Sequence, residues 1–273
     1  MTKVFHVLGN GDKCVLFNEE PREGALLTCN MPPFDIDPKL VYATCMVDFK
    51  MMMALNEGSI ALDQYDWVLG TRPRIWMEEK SAFYLKYASK VREFYTTVPK
   101  YAGNPTNFNC GHMASHYAAG RHKADEIHLY GFDTLFDFNM RSMTDLVLES
   151  DRQAINTYRL LNNWRPIWEG IFKEFKNTEF VLHHTHDDLQ IQKFDNVKII
   201  AYNKKIGSKT KDLFDASGKR KKGKDPKSLS EQRELEAKKD PLEEIRKGPP
   251  EPEMIMNRKQ RRAYEARKRK GVI

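Results

Sequence analysis

The sequence predicts an α/β fold, with a mostly parallel β-sheet covered by helices on both faces and a basic, largely disordered tail. Over residues 1–202, short apolar runs alternate with amphipathic helical stretches, which is typical of parallel sheets. From residue 203 to residue 273 this periodicity ends, and charged residues, glycine and proline dominate. Such a segment buries too little apolar surface to offset its ordering entropy. We therefore expect one domain over 1–202 and a tail over 203–273.

Each element is predicted from apolar spacing and from the residues that interrupt it. The predicted strands cover residues 3–8, 25–30, 40–48, 67–70, 74–77, 126–130, 179–183 and 197–201. The predicted helices cover residues 49–55, 78–94, 112–122, 146–161 and 163–175, with Pro166 close to the start of the last. Short helices are also predicted in the tail, at residues 230–239 and 257–270.

The net charge of +7 is unevenly distributed along the chain. The tail holds 23 of the 45 basic residues and 12 of the 38 acidic ones, so the first 202 residues carry a net charge of −4. A basic nucleic-acid-binding domain is therefore not indicated. The tail itself suits salt-sensitive, sequence-independent binding to nucleic acid or another polyanion. A solvated tail without a partner is the alternative.

The four cysteines contain no CxxC pair, so the sequence supports neither a structural zinc site nor thioredoxin-like chemistry. We expect reduced, buried thiols, as in cytosolic proteins. The sequence lacks a signal-peptide pattern and any run of about 18 apolar residues. A cytoplasmic location without membrane contact is therefore expected, which for a phage-encoded protein means the host cytoplasm.

Two candidate ligand contacts follow the first two predicted strands. Gly9-Asn10-Gly11 ends the first strand, where the strand-to-helix turn of a parallel sheet commonly contacts a phosphate or sugar. A plain tight turn is the alternative. Asn30 ends the second strand and could hydrogen-bond a ribose or a base edge, or it could serve as a turn former.

Further candidates lie later in the chain. Asn109-Cys110-Gly111 precedes a helix of small residues. Gly131 ends the next predicted strand, which places Asp133 at the carboxyl edge of the sheet. A carboxylate there can bind hydroxyl groups or a divalent cation, or it can cap a helix or turn.

These motifs, in this order, resemble the sialyltransferase superfamily. The matching segments are VLGNG (7–11), LLTCN (26–30), NCGHMASHYAAG (109–120) and EIHLYGFD (126–133). Glycosyltransferase-like and pyrophosphokinase-like proteins of phages and bacteria share the same skeleton. The resemblance implies a Rossmann-like domain that binds a nucleotide-sugar, such as a CMP- or UDP-sugar, and needs no metal. The donor contacts it implies are Gly9, Asn10, Gly11, Asn30, Asn109, Cys110 and Gly111, to which we add Asp48.

The sequence departs from this family at two places. Cys110 stands where the family has serine or threonine, and no histidine lies between Asp133 and Glu179, although the family has its general base there. We therefore take His183, His184 and His186 as catalytic candidates together with Asp133, because an imidazole suits proton transfer at neutral pH. Asp137 and Asp145 are substitutes for the base.

The same His-rich segment, with Asp187 and Asp188, also resembles a metal-ligand set, for which Asp133 is a further ligand candidate. Three functions follow. The first is an inverting transfer of sugar from a nucleotide donor to an unidentified acceptor, phage DNA among the candidates. The second is Mg²⁺-dependent pyrophosphoryl or nucleotidyl transfer through Asp48, Asp133 and the segment HHTHDD (183–188). The third is a catalytically degenerate virion or nucleic-acid-binding protein.

Overall fold

The protein contains one eight-stranded sheet in which every pair of neighbouring strands is parallel, which confirms the predicted fold class. The computed structural model describes residues 2–19, 23–32, 34, 36–137, 154–202, 212–214 and 220–222. The sheet strands are β1 (Val4–Leu8), β2 (Ala25–Cys29), β3 (Val41–Met46), β4 (Trp67–Leu69), β5 (Val91–Phe94), β6 (Glu126–Tyr130), β7 (Glu179–His184) and β8 (Val197–Ala201).

The strand order determines where a ligand site is expected. The order is β5-β4-β3-β2-β1-β6-β7-β8, so the chain builds one half of the sheet outward from β1 and then returns to place β6 on the other side of β1. The turns after β1 and β6 thus meet at a topological switch point, where open parallel sheets bind their ligands beyond the carboxyl ends of the strands.

Helices cover both faces of the sheet, as predicted. The described α-helices are α1 (Lys50–Asn56), α2 (Thr71–Glu79), α3 (Ser81–Tyr87), α4 (Cys110–His116) and α5 (Ala154–Glu174). Apolar residues of α4 and α5 form one core cluster with one face of the sheet. Residues of α1 to α3 and of the 3₁₀ segment Asp12–Glu19 form the second cluster with the other face. The alternation of side chains along each strand supplies both clusters.

The prediction for residues 74–94 is partly wrong. Residues 74–77 belong to α2 and not to a strand. Pro73 does not end the element before them, because it is the third residue of α2 and the first turn of a helix tolerates proline. The long helix predicted at 78–94 is the short helix α3 followed by the strand β5. Val91 and Phe94 fit the helical spacing, but β5 pairs with β4.

The two helices predicted around Pro166 are one helix, α5. A proline inside a helix costs about 3 kcal/mol. The stripe of Ile167, Trp168, Ile171 and Phe172, each at most 1% exposed, packs on the sheet and offsets this cost. The start of the first predicted helix, residues 146–153, lies outside the described residues.

The tail is described only at β9 (Asp212–Phe214) and β10 (Arg220–Lys222), which pair as a short antiparallel ribbon. The helices predicted at 230–239 and 257–270 lie outside the described residues, and the domain boundary at residue 202 stays a prediction. Among the described residues, no helix combines the length and the apolar character needed to cross a bilayer.

Candidate functional site

The turns that follow β1 and β6 are hydrogen-bonded to each other at the switch point. Gly9 donates its backbone N–H to the carbonyl of Tyr130 (2.8 Å), and Gly11 donates to that of Gly131 (3.0 Å). The fold therefore brings the glycine turn and Asp133 together, as the motif order predicts. Because both glycine N–H groups already have protein partners, a phosphate at this turn must be held mainly by other groups.

Close packing of the two turns explains their glycines. A Cβ atom on Gly11 would lie 2.5 Å from the Gly131 carbonyl oxygen and 2.9 Å from a carboxylate oxygen of Asp133. Gly131 has a φ of 73°, in the left-handed region that glycine favours. Its Cβ would also lie 2.8 Å from the Cβ of Cys14. Gly11 and Gly131 thus allow the turn after β1 to pack closely on the turn after β6.

Asp133 occupies the centre of this junction. Its carboxylate accepts the backbone N–H of Lys13 at 3.2 and 3.3 Å, and its side chain is 11% exposed. Burial raises the pKa of Asp133 to about 7, and the negative charges of Asp12 and Asp137 add to this rise. The positive charge of Lys13 lowers the pKa but does not cancel the effect of burial. A carboxyl group with this pKa exchanges protons readily near neutral pH.

Lys13 is a candidate functional residue that the sequence analysis missed. It is half-buried, and its positive charge lowers the pKa of both Asp133 and His184. It thus supplies a cation at the switch point. The sequence does contain an indication of this role, because Lys13 lies two residues after the glycine turn. Lysines next to glycine-rich turns commonly bind phosphate.

A cluster of histidine and aspartate lies beside Asp133. His184, at the end of β7, has its Nε2 3.5 Å from Asp137 Oδ2 and 3.9 Å from Asp133 Oδ1. The Nε2 of His186 lies 3.2 Å from Asp137 Oδ1. His184 is fully buried and stacks on Phe136, and burial lowers its pKa to about 3. Two of the predicted histidines therefore reach the switch point.

Hydrogen bonds to the two rings determine which nitrogen carries the proton. Nδ1 of His184 accepts the backbone N–H of His186 (3.4 Å), and Nδ1 of His186 accepts that of Asp188 (3.3 Å). A neutral imidazole has one donor and one acceptor nitrogen. With its Nδ1 accepting, each ring carries its proton on Nε2. The Nε2 of His186 donates to Asp137 Oδ1 at 3.2 Å, whereas the buried Nε2 of His184 lies 3.5 Å from Asp137 Oδ2 without forming a hydrogen bond.

The same cluster resembles a metal site. The ligand atoms of Asp137, His184 and His186 lie within 4.8 Å of one another, a set that suits transition metals better than Mg²⁺. A metal-bound histidine, however, donates its second ring N–H to a neighbour, whereas here each Nδ1 receives a backbone N–H. With the proton on Nε2, neither ring offers the lone pair of that nitrogen to a metal ion.

His183 does not join this cluster, because it lies on the opposite face of β7 from His184. Its Nε2 is 2.8 Å from His128 Nδ1, and its Nδ1 is 2.9 Å from the Tyr202 hydroxyl. The ring also stacks on Tyr130, with 4.0 Å between centroids. These contacts give His183 a role in packing β6, β7 and the end of β8.

Asn10 and Asn30 join the turns after β1 and β2. The side-chain amide of Asn10 donates to the carbonyl of Cys29 at 2.7 Å. Asn30 has a φ of 57°, which asparagine tolerates, and its Oδ1 accepts a hydrogen bond from Cys110 Sγ at 2.9 Å. Asn30 and Cys110, predicted from separate motifs, are therefore in direct contact at this edge.

Local structure accounts for the residues on either side of Cys110. Asn109 caps α4, because its Oδ1 accepts the N–H of His112 while His112 Nδ1 accepts the N–H of Asn109, at 3.0 and 3.1 Å. A Cβ on Gly111 would lie 2.3 Å from the ring of Phe132. The cap and this ring contact explain Asn109 and Gly111 without any ligand.

Asp48 follows β3 and borders the Asn30–Cys110 pair. Its Oδ1 accepts the backbone N–H of Lys50 at 3.2 Å, and its Oδ2 lies 3.9 Å from the Arg72 guanidinium. Its charge also contributes to the raised pKa of Cys110. Asp48 is thus at the correct edge of the sheet, but on the side of β1 that is remote from the His184 cluster.

The four cysteines are all buried with free thiols, as predicted, and burial raises the pKa of Cys110 to about 12. Because the thiolate is the reactive form, we expect the native protein to react with a disulfide reagent at pH 8 at least about 100-fold more slowly than the urea-unfolded chain. The measurement is the thiol-release rate, with Cys110→Ser identifying the contribution of that thiol. Rapid labelling of Cys110 in the native protein would contradict the described packing.

Together, the sheet order and the switch-point cluster define a Rossmann-like α/β protein with a buried carboxyl group at its switch point. Comparison of the chain with models of known protein families, with curated proteins and with solved structures gives no match.

Proposed function

We propose that the protein is a nucleotide-sugar-dependent glycosyltransferase that binds its donor at the switch point between β1 and β6. Lys13 supplies positive charge there for the donor phosphates. Asp133 supplies a proton acceptor, and the Asn30–Cys110 pair offers polar groups on the β2 side. A phosphate-activated sugar fits this combination, as the motif resemblance implies.

The observation that carries the proposal is the burial of the Asp133 carboxyl group directly against the glycine turn, which raises its pKa to about 7. A general base is most effective when its pKa lies near the working pH. In an inverting transfer, the acceptor oxygen forms a bond to the anomeric carbon while the bond from that carbon to the donor phosphate oxygen breaks. The hydroxyl proton passes to Asp133, and the nucleotide leaves with its phosphate charge beside Lys13.

His184 and His186 act in this scheme as positioning residues. His186 Nε2 donates to Asp137 Oδ1, and His184 Nε2 lies 3.5 Å from Asp137 Oδ2. The charge of Asp137 helps to raise the pKa of Asp133. The two histidines therefore influence the base through Asp137. This arrangement takes the place of the histidine that the family has after its GFD motif.

A metal-dependent phosphoryl or nucleotidyl transfer is the second candidate, favoured by the ligand set of Asp137, His184 and His186. The two functions differ in their need for a metal. A transferase that uses Asp133 as its base keeps its activity in a chelator, whereas the alternative loses it.

The direct test incubates the chelator-treated protein with isotopically labelled UDP-, CMP- and GDP-sugars and measures binding and slow donor hydrolysis. We expect one nucleotide class to bind and to be hydrolysed, with water replacing the acceptor hydroxyl. Activity that appears only when a divalent cation is restored supports the second candidate. Absence of both binding and hydrolysis with all three donors overturns the proposal.

A further inference from the structure

A cavity of about 440 Å³ opens at the carboxyl ends of β3, β4 and β5. Its volume lies within the range of about 300–1,000 Å³ that is typical of small-molecule sites. Buried apolar side chains of Phe108 and Met113 line it, 3% and 1% exposed, together with Val47. Exposed polar residues surround them, namely Thr71, Arg72, Thr97 and Thr106.

The cavity adjoins the proposed donor site. Val47 lines the cavity and donates its backbone N–H to Cys110 Sγ at 3.4 Å, and Cys110 in turn contacts Asn30. Met113 belongs to α4, one turn beyond Cys110. The wall of the cavity therefore continues, through hydrogen-bonded groups, to the turn after β2.

The strand order indicates how a bound donor would be oriented across the edge of the sheet. The acid–base cluster lies at β6 and β7, on one side of β1, and the cavity lies at β3 to β5, on the other. A donor whose phosphates contact Lys13 and whose sugar faces Asp133 reaches the cavity when its nucleoside extends towards β2 and β3. The three strand spacings from β1 to β4 correspond to about 14 Å, a distance that a nucleoside linked to a diphosphate can span.

We infer that this cavity binds the nucleobase and ribose of the donor, an inference that rests on the proposed function. The apolar wall suits the faces of a planar base. Threonine hydroxyls both donate and accept, and so can pair with a base edge or with ribose. The Arg72 guanidinium is held over the Phe49 ring at 5.0 Å and near Asp48, which places a fixed donor group at the rim.

The test fills the cavity and compares nucleotides with inorganic pyrophosphate. Thr97 is exposed at the rim, so Thr97→Trp should fold normally while blocking the cavity. We expect at least an about tenfold loss of affinity for CMP, UDP or GDP, whichever binds the wild type, with pyrophosphate affinity unchanged. Lys13→Gln should weaken pyrophosphate binding. The matched control is Asn177→Trp, at an exposed turn before β7.

Calorimetric titration separates the outcomes. If the wild type binds a nucleotide and Thr97→Trp binds it equally well, the cavity assignment is wrong while the donor site stands. An equal loss of nucleotide and pyrophosphate affinity in Thr97→Trp also overturns the assignment, because the substitution would then act on the phosphate end. A wild type that binds no nucleotide overturns both this inference and the proposed function.

Discussion

Replacing Asp133 with asparagine is expected to lower donor turnover by about 10²–10⁴-fold, the usual contribution of a positioned general base. Asparagine keeps the shape of the side chain and an oxygen that can accept the Lys13 N–H, but it cannot take a proton. The loss should appear mainly in kcat, because donor binding uses other groups. The measurement is the steady-state rate for whichever labelled donor the wild type accepts.

The pH dependence separates loss of a base from loss of structure. Because burial raises the pKa of Asp133 to about 7, wild-type turnover should rise as the pH increases through 7, where the carboxyl group loses its proton. The asparagine variant should lack this rise. It should also be at least as stable as the wild type at pH 8, because it no longer buries an ionised carboxylate.

The matched control is Asp66→Asn. Asp66 precedes β4 at the amino ends of the strands, and its carboxylate forms an ion pair with Arg92 at 2.6 Å. Because the candidate site lies at the carboxyl ends, substitution of Asp66 should leave turnover unchanged. If Asp133→Asn retains more than about a tenth of the wild-type rate while His186→Asn loses turnover, the base is His186 and the role of Asp133 is wrong.

The sheet could be predicted from the sequence because its buried strands are short apolar runs that end at distinctive residues. Gly9 follows β1, Asn30 follows β2 and Gly131 follows β6. Asn30 and Gly131 have positive φ angles, which few other residues adopt, and a Cβ on Gly9 would lie 2.8 Å from the Gly131 carbonyl oxygen. Residues 74–94 were harder to assign, since a short apolar run such as Ile75-Trp76-Met77 fits a strand and a helix equally well. Val91 and Phe94 likewise fit a helical spacing, and only the pairing of β5 with β4 shows that they belong to a strand.

The sequence was enough to predict which turns meet at the candidate site. It was not enough to predict which side chains are in contact there. Parallel strands place Gly11 and Asp133 at one edge whatever the strand order. The contact between Asn30 and Cys110 depends on where α4 packs, which the local pattern does not contain. The separation of His183 from His184 could have been deduced from strand alternation alone, had the end of β7 been placed one residue later.

Acidification is expected to unfold the protein over a range in which most folded domains are still stable. Burial lowers the pKa of His112, His183 and His184 to about 3 from the usual 6.5. All three are at most 2% exposed. Each is neutral in the folded state and protonated in the unfolded state below pH 6.5, so the stability that each contributes is present above 6.5 and is lost as the pH falls.

Asp133 acts in the opposite direction, because its pKa rises from 3.8 to about 7 in the folded state. Its contribution to stability is present at low pH and is lost as the pH rises through 7. Over these four groups, the unfolded chain therefore binds about two more protons than the folded one between pH 4 and 5.5. Their combined contribution to stability should change by roughly 2–3 kcal/mol per pH unit in that range. Urea unfolding at several pH values measures this slope.

A variant with one of these histidines replaced shows whether buried imidazoles cause the slope. His112 packs against Phe108 and Trp168, and His112→Gln removes its titration while keeping a polar side chain. This variant should be less stable than the wild type at pH 7. On acidification, its free energy of unfolding should fall less steeply, by about 1.4 kcal/mol per pH unit for the one proton that the variant no longer takes up. A wild-type stability that stays constant from pH 6.5 to 4.5 would show that the three rings are hydrated in solution. The packing of His184 between Asp137 and Phe136, on which the proposed acid–base cluster depends, would then be wrong as well.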